Sequence, residues 1–408
     1  MYELVLKNAR VRFDEGLVNI GVRDGKIVEI SHDRLRCESE IDVRGKLVTA
    51  PFVNPHLHLC KVYTFEKIGD DALRLYQQEK MLDASEAIRI AAKVKKWYSD
   101  DVIFENGKRA LAEAVKHGCL YVRAFVDTDT LAGLTAVKAV LRLKKTFAGL
   151  VHLQVVAFPQ EGVLKDPGAE ELVWKAMELG CDVVGGIPWI ERSAEDSRLH
   201  VDKMFEIAKA FDKDVAMLTD DAGNSNLRTT GYLARKTIAE NMVGRSSAHH
   251  ARALSLYPKN VLTPLMQLLK KADVSVISNP HTGPLHAPVK QLLKHGINVA
   301  LGQDDIADAY YPFGRNKMTE IAFLAAHLLR MMSLNDVEKV FDMVTANAAK
   351  AMRLGSYGLE TGGNADFVIL DASSVYEAVW NQAEPILVIK DGKIIYRREE
   401  RTELKFED

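Results

Sequence analysis

Two histidines one residue apart, His56 and His58, close the apolar run TAPFVNPHLHLCK, which spans Thr49 to Lys61. Side chains alternate from face to face along an extended chain, so residues two apart point the same way. Two imidazoles on one side of a strand end suit two ligands of a single divalent cation. Asp304, at the end of INVALGQDD, could add a third ligand and leave a position open for water, as a catalytic metal requires. The plainer alternatives are hydrogen bonding of both rings to loop backbone, and helix capping by Asp304 and Asp305.

Such residues need elements to bring them together, and the chain supplies a repeating pattern. Eight short apolar segments (LVTAPFVNPHLHL, CLYVRAFVD, LVHLQVVAFPQ, CDVVGGIP, DVAMLTDD, GRSSAHH, VSVISNP and INVALGQDD) alternate with amphipathic stretches such as AEELVWKAMELG. Strands each followed by a helix are the pattern of an α/β (β/α)8 barrel, a TIM barrel. His56, His58, Asp127, Gln160, Asp220, Asp221, His250, Asn279, Asp304 and Asp305 all fall at or just past strand ends. In a barrel these ends converge on the face that carries the active site. Short alternating strands at both termini, with Asp24-Gly25-Lys26 echoed by Asp391-Gly392-Lys393, predict a small β-sandwich assembled from residues 1–50 and 360–408 around a barrel of 51–359.

Bulk properties narrow the partners. The 408 residues are 47% hydrophobic and carry a formal net charge of −2, so no overall charge steers the chain to nucleic acid or to a membrane surface. No segment has the apolar length of a membrane span, the start lacks the apolar core of a secretory signal, and the four cysteines show no CxxC spacing. A cytoplasmic protein acting on a small molecule is expected. There is no phosphate-cradling glycine loop and no GxSxG elbow.

Several long runs, PFVNPHLHL, HGCLYVRAFVD, QVVAFPQEGVL, MELGCDVVGGIP, INVALGQDDIADAYYPFG and LETGGNADFVILDA, resemble the amidohydrolase superfamily. The resemblance is to the branch containing cytosine deaminase and N-isopropylammelide isopropylaminohydrolase, and it covers essentially the whole chain. It implies hydrolytic deamination or C–N hydrolysis of a small planar N-heterocycle, with one divalent metal, zinc or iron. His56, His58 and Asp304 match metal ligands. Gln160 matches the glutamine that reads the substrate, with His250 and Asp305 as further substrate contacts. His250, Asp304 and Asp221 match catalytic positions. Relatives of this kind commonly assemble, which leaves a homo-oligomer open.

The resemblance breaks at the fifth barrel strand. The family carries a ligand histidine followed three residues later by an acid/base glutamate; here MLTDD puts Leu218 and Asp221 on those positions. Phe125 and Cys60 likewise replace a histidine and an aspartate common in relatives. Three arrangements answer the loss: Asp220 or Asp221 swings into the vacancy, giving a set that manganese also accepts; His250 becomes a ligand; or the barrel binds a heterocycle without hydrolysing it. His249 and His250 should point to opposite sides, with His250 the one expected in the site. His281 and His286 are either substrate contacts or solvated loop residues, and Trp189 either stacks on a base or packs. Lys61, Lys67 and the KKWYSDD stretch (residues 95–101) read as surface charge, with Lys61 close enough to the ligands to influence them.

Overall fold

The computed structural model describes residues 1–399. Residues 400–408, which end the segment assigned to the sandwich and the charge-rich run from Arg397, lie outside the described residues. The chain divides into two units. One comprises Met1–Pro51, Val115–Gly118 and the chain from Ser356 onward; the other comprises Phe52–Ala114 and Cys119–Gly355.

The first unit draws strands from both termini: β1 (Tyr2–Ala9), β2 (Val18–Arg23), β3 (Lys26–Ser31), β4 (Cys37–Asp42) and β5 (Leu47–Thr49) from the N-terminal part. The C-terminal part adds Phe367–Leu370, Pro385–Lys390 and Lys393–Arg397. One four-stranded sheet has the order β3-β2-β1-β4, and β5 completes the other beside the Phe367–Leu370 strand. Leu6, Ile20, Ile27 and Val48 pack with Phe367, Ile369 and Ile389 in one core, so each terminus buries the apolar face of the other. Asp24 and Gly25 both have positive φ, 52° and 67°, as do Asp391 and Gly392, 49° and 75°. Two successive positive φ angles are what a type I′ hairpin turn demands, and Asp-Gly supplies them at little cost.

The second unit is the expected barrel. Its strands are β6 (Phe52–Leu57), β7 (Cys119–Asp127), β8 (His152–Phe158), β9 (Val183–Gly186), β10 (Asp214–Thr219), β11 (Ser246–His250), β12 (Ser275–Ser278) and β13 (Val299–Leu301). They run parallel in sequence order. A bridge between Leu57 and Asp304 closes the ring. Strands of such a sheet are covered on both faces and read as continuous apolar runs. All nine residues of β7 are buried accordingly. The intervening helices bury one stripe: Ala169–Glu178 turns Ala169, Val173, Ala176 and Met177 inward, the spacing of an α-helical face.

Three residues at the C-terminal strand ends adopt unusual backbone. Asp220, His250 and Asp304 have φ of 49°, 64° and 69°. Left-handed conformations cost a non-glycine residue roughly 1–2 kcal/mol. Such strain persists where surrounding packing enforces it.

Candidate active site

His56 and His58 sit at the end of β6, and Asp304 faces them from the segment after β13. Two backbone bonds fix this pairing: His58 N–H donates to Asp304 O and Asp304 N–H to His56 O, each at 2.8 Å. Gly302 permits the approach, because a Cβ there would meet Asn279 Oδ1 and His56 Cβ at 2.7 Å. His56 Nε2 lies 3.1 Å from Asp304 Oδ1 and 3.3 Å from His58 Nε2, and His58 Nε2 is 3.8 Å from the same carboxylate oxygen. A tetrahedral ion with bonds near 2.0–2.1 Å separates its ligand atoms by about 3.3–3.4 Å. The three donors thus lie close to one face of such a polyhedron, and their chemistry, two imidazoles and a carboxylate, suits a divalent cation.

Hydrogen bonds set which nitrogen each ring presents. His56 Nδ1 lies 2.6 Å from His249 Nδ1, and His249 Nε2 is 2.9 Å from Ser247 Oγ. With His56 Nδ1 donating and His249 Nε2 donating onward, the lone pair of His56 Nε2 faces the Asp304 carboxylate, the orientation a ligand needs. His250 is set the other way. Arg252 Nη2 donates to His250 Nδ1 at 3.2 Å, leaving the proton on Nε2, 3.7 Å from Asp304 Oδ1. His250 therefore offers the cavity a donor rather than a lone pair.

Burial pushes His58, His249 and His250 well below the usual imidazole range. Burial would raise Asp304, but His250, His56 and His58 outweigh it and hold the carboxyl well below the usual range. Asp305 goes the opposite way: burial, then Asp304 and Asp308, push it well above the usual range. Asp221 is pushed up to about 7, chiefly by burial and against the pull of Arg252. Arg252 Nε donates to Asp221 Oδ1 at 2.7 Å, and the Tyr76 hydroxyl donates to Oδ2 at 3.2 Å.

These groups share one small cavity. His58, Gln160, Asp221, His250, Asp304 and Asp305 line its polar side, and Tyr76, Ile88, Ile187, Leu218 and Tyr310 line the rest. His56 lies directly against this lining, beside His58 and Asp304, whereas Asp127, Asp220 and Asn279, also singled out at strand ends, do not line the cavity. Leu218 belongs to an apolar cluster with Tyr76, Ile88, Phe125, Phe158 and Ile187. The Phe125 ring stacks on His56 at 4.3 Å between centroids, so the replacement of histidine by phenylalanine is a packing contact. Cys60 is buried beside the Tyr98 hydroxyl, with its thiol pushed up to about 12 by burial.

Several expectations need correction. Neither aspartate after β10 fills the position left by Leu218. Asp220 turns away, accepting from Thr229 N–H at 2.7 Å, Thr230 N–H at 3.1 Å and the Tyr257 hydroxyl at 3.0 Å, and so caps the helix Thr229–Ala239. Asp221 is held by Arg252. His249 and His250 do not diverge: both rings reach His56, at 4.7 and 4.9 Å between centroids, because the left-handed turn at His250 breaks the strand alternation.

Lys61 is not a surface charge. It is buried, donates to Gln160 Oε1 at 2.5 Å and lies 3.2 Å from Asp127 Oδ1. The KKWYSDD stretch is partly interior as well, since Lys95 is buried between Asp129 and Glu161, and Tyr98 donates to Asp127. Trp189 packs in the Leu218 cluster and does not line this cavity. His281 bonds Gln303 O, and His286 contacts Ala287 O. Arg252 escaped the sequence reading. One arginine in GRSSAHHARAL carried no signal beyond its place two residues after His250, yet it is buried at the centre of the site.

Among the described residues no helix is long and apolar enough to cross a membrane. Comparison with known proteins places relatives around this geometry. The model of the amidohydrolase family matches residues 105–396. The chain is 32% identical over 406 residues to N-isopropylammelide isopropyl amidohydrolase from Pseudomonas sp., covering 98% of each. Among solved structures, 5-methylcytosine deaminase from Klebsiella pneumoniae with 5-fluorocytosine bound is 30% identical, with a TM-score of 0.91 over 98% of this chain and 99% of that one. N-isopropylammelide isopropylaminohydrolase from Burkholderia multivorans is 25% identical, with a TM-score of 0.84 over 97% and 99%.

Proposed function

The chain belongs to the amidohydrolase family and is a metal-dependent hydrolytic enzyme acting on C–N bonds, and from that premise we propose that it releases ammonia or an alkylamine from a small planar N-heterocycle carrying an alkyl group. Amidohydrolases use a divalent metal; His56, His58 and Asp304 would hold it, as zinc or iron. When bound, the cation supplies Lewis acidity, which brings the pKa of water down toward neutrality. The binding-only alternative is not favoured, because the relatives with which the chain aligns end to end are hydrolytic enzymes.

The remaining steps belong to side chains of this protein. Lys61 occupies Gln160 Oε1, so Gln160 has its amide N–H groups left to offer a ring carbonyl or ring nitrogen. Asp305, with its pKa raised by burial and by its acidic neighbours, adds a second donor. His250 Nε2–H donates to the oxygen that attacks the ring carbon. Asp221 accepts a proton from the attacking water and passes it to the nitrogen of the breaking C–N bond. One water is consumed, a C–O bond forms, and the amine leaves with its proton. Arg252 is a positioning residue, since its single guanidinium orients both Asp221 and His250.

The substrate's alkyl group follows from the opposite wall. Ile88, Ile187 and Leu218 present hydrocarbon beside Asp221, where the relatives act on N-isopropylammelide and 5-methylcytosine. A methylene in such a pocket contributes about 1–3 kcal/mol of discrimination. The convergence of His56, His58 and Asp304 at the cavity that Asp221 also lines carries this reading. The test is an assay of metal-reconstituted protein against N-alkylamino-triazines and 5-alkylcytosines beside their unsubstituted forms. Faster release of amine or ammonia from the alkylated members is expected, and Asp304-directed metal content and turnover should vanish together in His56→Ala. Undiminished turnover in His56→Ala, or no preference for alkyl groups, would overturn it.

A further inference from the structure

The segments that follow β9 and β10 enclose a second cavity, of about 370 Å³, that shares no lining residue with the first. Arg192, Arg198, Arg228 and Arg235 line it. The one acid in its wall, Glu191, is already committed: Oε1 accepts from Val163 N–H, Leu164 N–H and His200 Nδ1, and Oε2 from Lys165 N–H. Arg228 donates to the Ser225 and Leu227 carbonyls. Among the described residues, Arg192, Arg198 and Arg235 have no carboxylate within ion-pair distance. Three unpaired guanidiniums around one hollow repel each other, and an anion between them removes that repulsion.

We propose that this cavity is an oxyanion site for a small, multiply charged anion, of which inorganic phosphate is the simplest member. Guanidinium forks match phosphate and carboxylate oxygens in pairs, whereas a neutral heterocycle would leave the three charges unbalanced. The site is separate from the metal donors, so its test needs neither metal nor substrate turnover.

Isothermal titration with sodium phosphate at fixed ionic strength is to be run on the wild-type protein, His56→Ala and R198E/R235E. One saturable phosphate per chain is expected in the wild type and in His56→Ala, and about tenfold weaker binding or none in the double variant. No saturable binding in the wild type overturns the proposal. So does binding that His56→Ala abolishes and R198E/R235E retains, which would put the anion at the metal donors. Should charge reversal prevent folding, R192Q/R198Q changes two exposed side chains and carries the same comparison, with unaltered phosphate affinity as the contrary result.

Discussion

Leu218 stands among histidines and aspartates as an aliphatic group on the strand position that the family resemblance assigns to a metal ligand. Its side chain lies in the apolar cluster, and the nearest candidates to replace it are engaged elsewhere: Asp220 on a helix N-terminus, Asp221 on Arg252, and His250 with its lone pair turned to Arg252. On the proposed reading the donor set would be three protein atoms, His56, His58 and Asp304, with an open fourth position. Leu218→His should tighten metal binding roughly tenfold or more, the effect of about 1.4 kcal/mol, read by competition against a chromophoric chelator. Unchanged affinity would mean that another group already occupies that position.

Asp221 carries the matching prediction for proton transfer. Its carboxyl, raised to about 7 by burial, must be ionised to accept a proton, so kcat/KM should climb with pH and level off above its pKa. A bound cation draws that pKa down, which puts the climb below pH 7 in the metal-loaded enzyme. Asp221→Asn should lower kcat/KM by about 10²–10⁴ and remove the climb. A pH profile of unchanged shape in the variant would exclude Asp221 as the proton carrier.

At the level of elements, Asp220 shows how one side chain ties a strand to the helix after it. Leaving β10, it satisfies the first two N–H groups of Thr229–Ala239 across a loop. Asp220→Ala strands those donors and the Tyr257 hydroxyl, at a cost of roughly 2 kcal/mol in urea-induced unfolding. A loss of a few tenths would mean that water or Thr229 takes over the cap.

The same residue marks where sequence reasoning ran out. Strand and helix periodicity made all eight barrel strands and the strand-rich termini legible, because each element buries a face whose period is written in the residues. The strand-end rule likewise drew attention to the residues that converge at the cavity. Side-chain direction past the last strand residue was not legible. It depends on left-handed turns at Asp220 and His250, which periodicity does not encode, and on partners distant in the chain. Lys61 and Lys95 failed for a related reason. A lysine taken by itself looks solvated until the fold supplies Asp127, Asp129 and Glu161 as partners.

For the whole molecule, metal and fold are linked by mass action. A cation that binds the native donors and not the unfolded chain adds about 2.7 kcal/mol at a hundredfold excess over its Kd. Exhaustive chelation should therefore lower the thermal midpoint by several degrees and zinc or iron restore it; an identical midpoint with and without metal would mean that the three donors do not hold the ion in the folded state. The location of those donors gives this linkage a further meaning. His56 and His58 come from the first barrel strand and Asp304 from beyond the last, on either side of the closure that the Leu57 and Asp304 bridge makes. A ring of strands has one place where it must be fastened, and the ion would sit across that clasp. Its loss would then shorten the working lifetime of each molecule, by easing the first opening step toward irreversible inactivation, as well as stopping turnover.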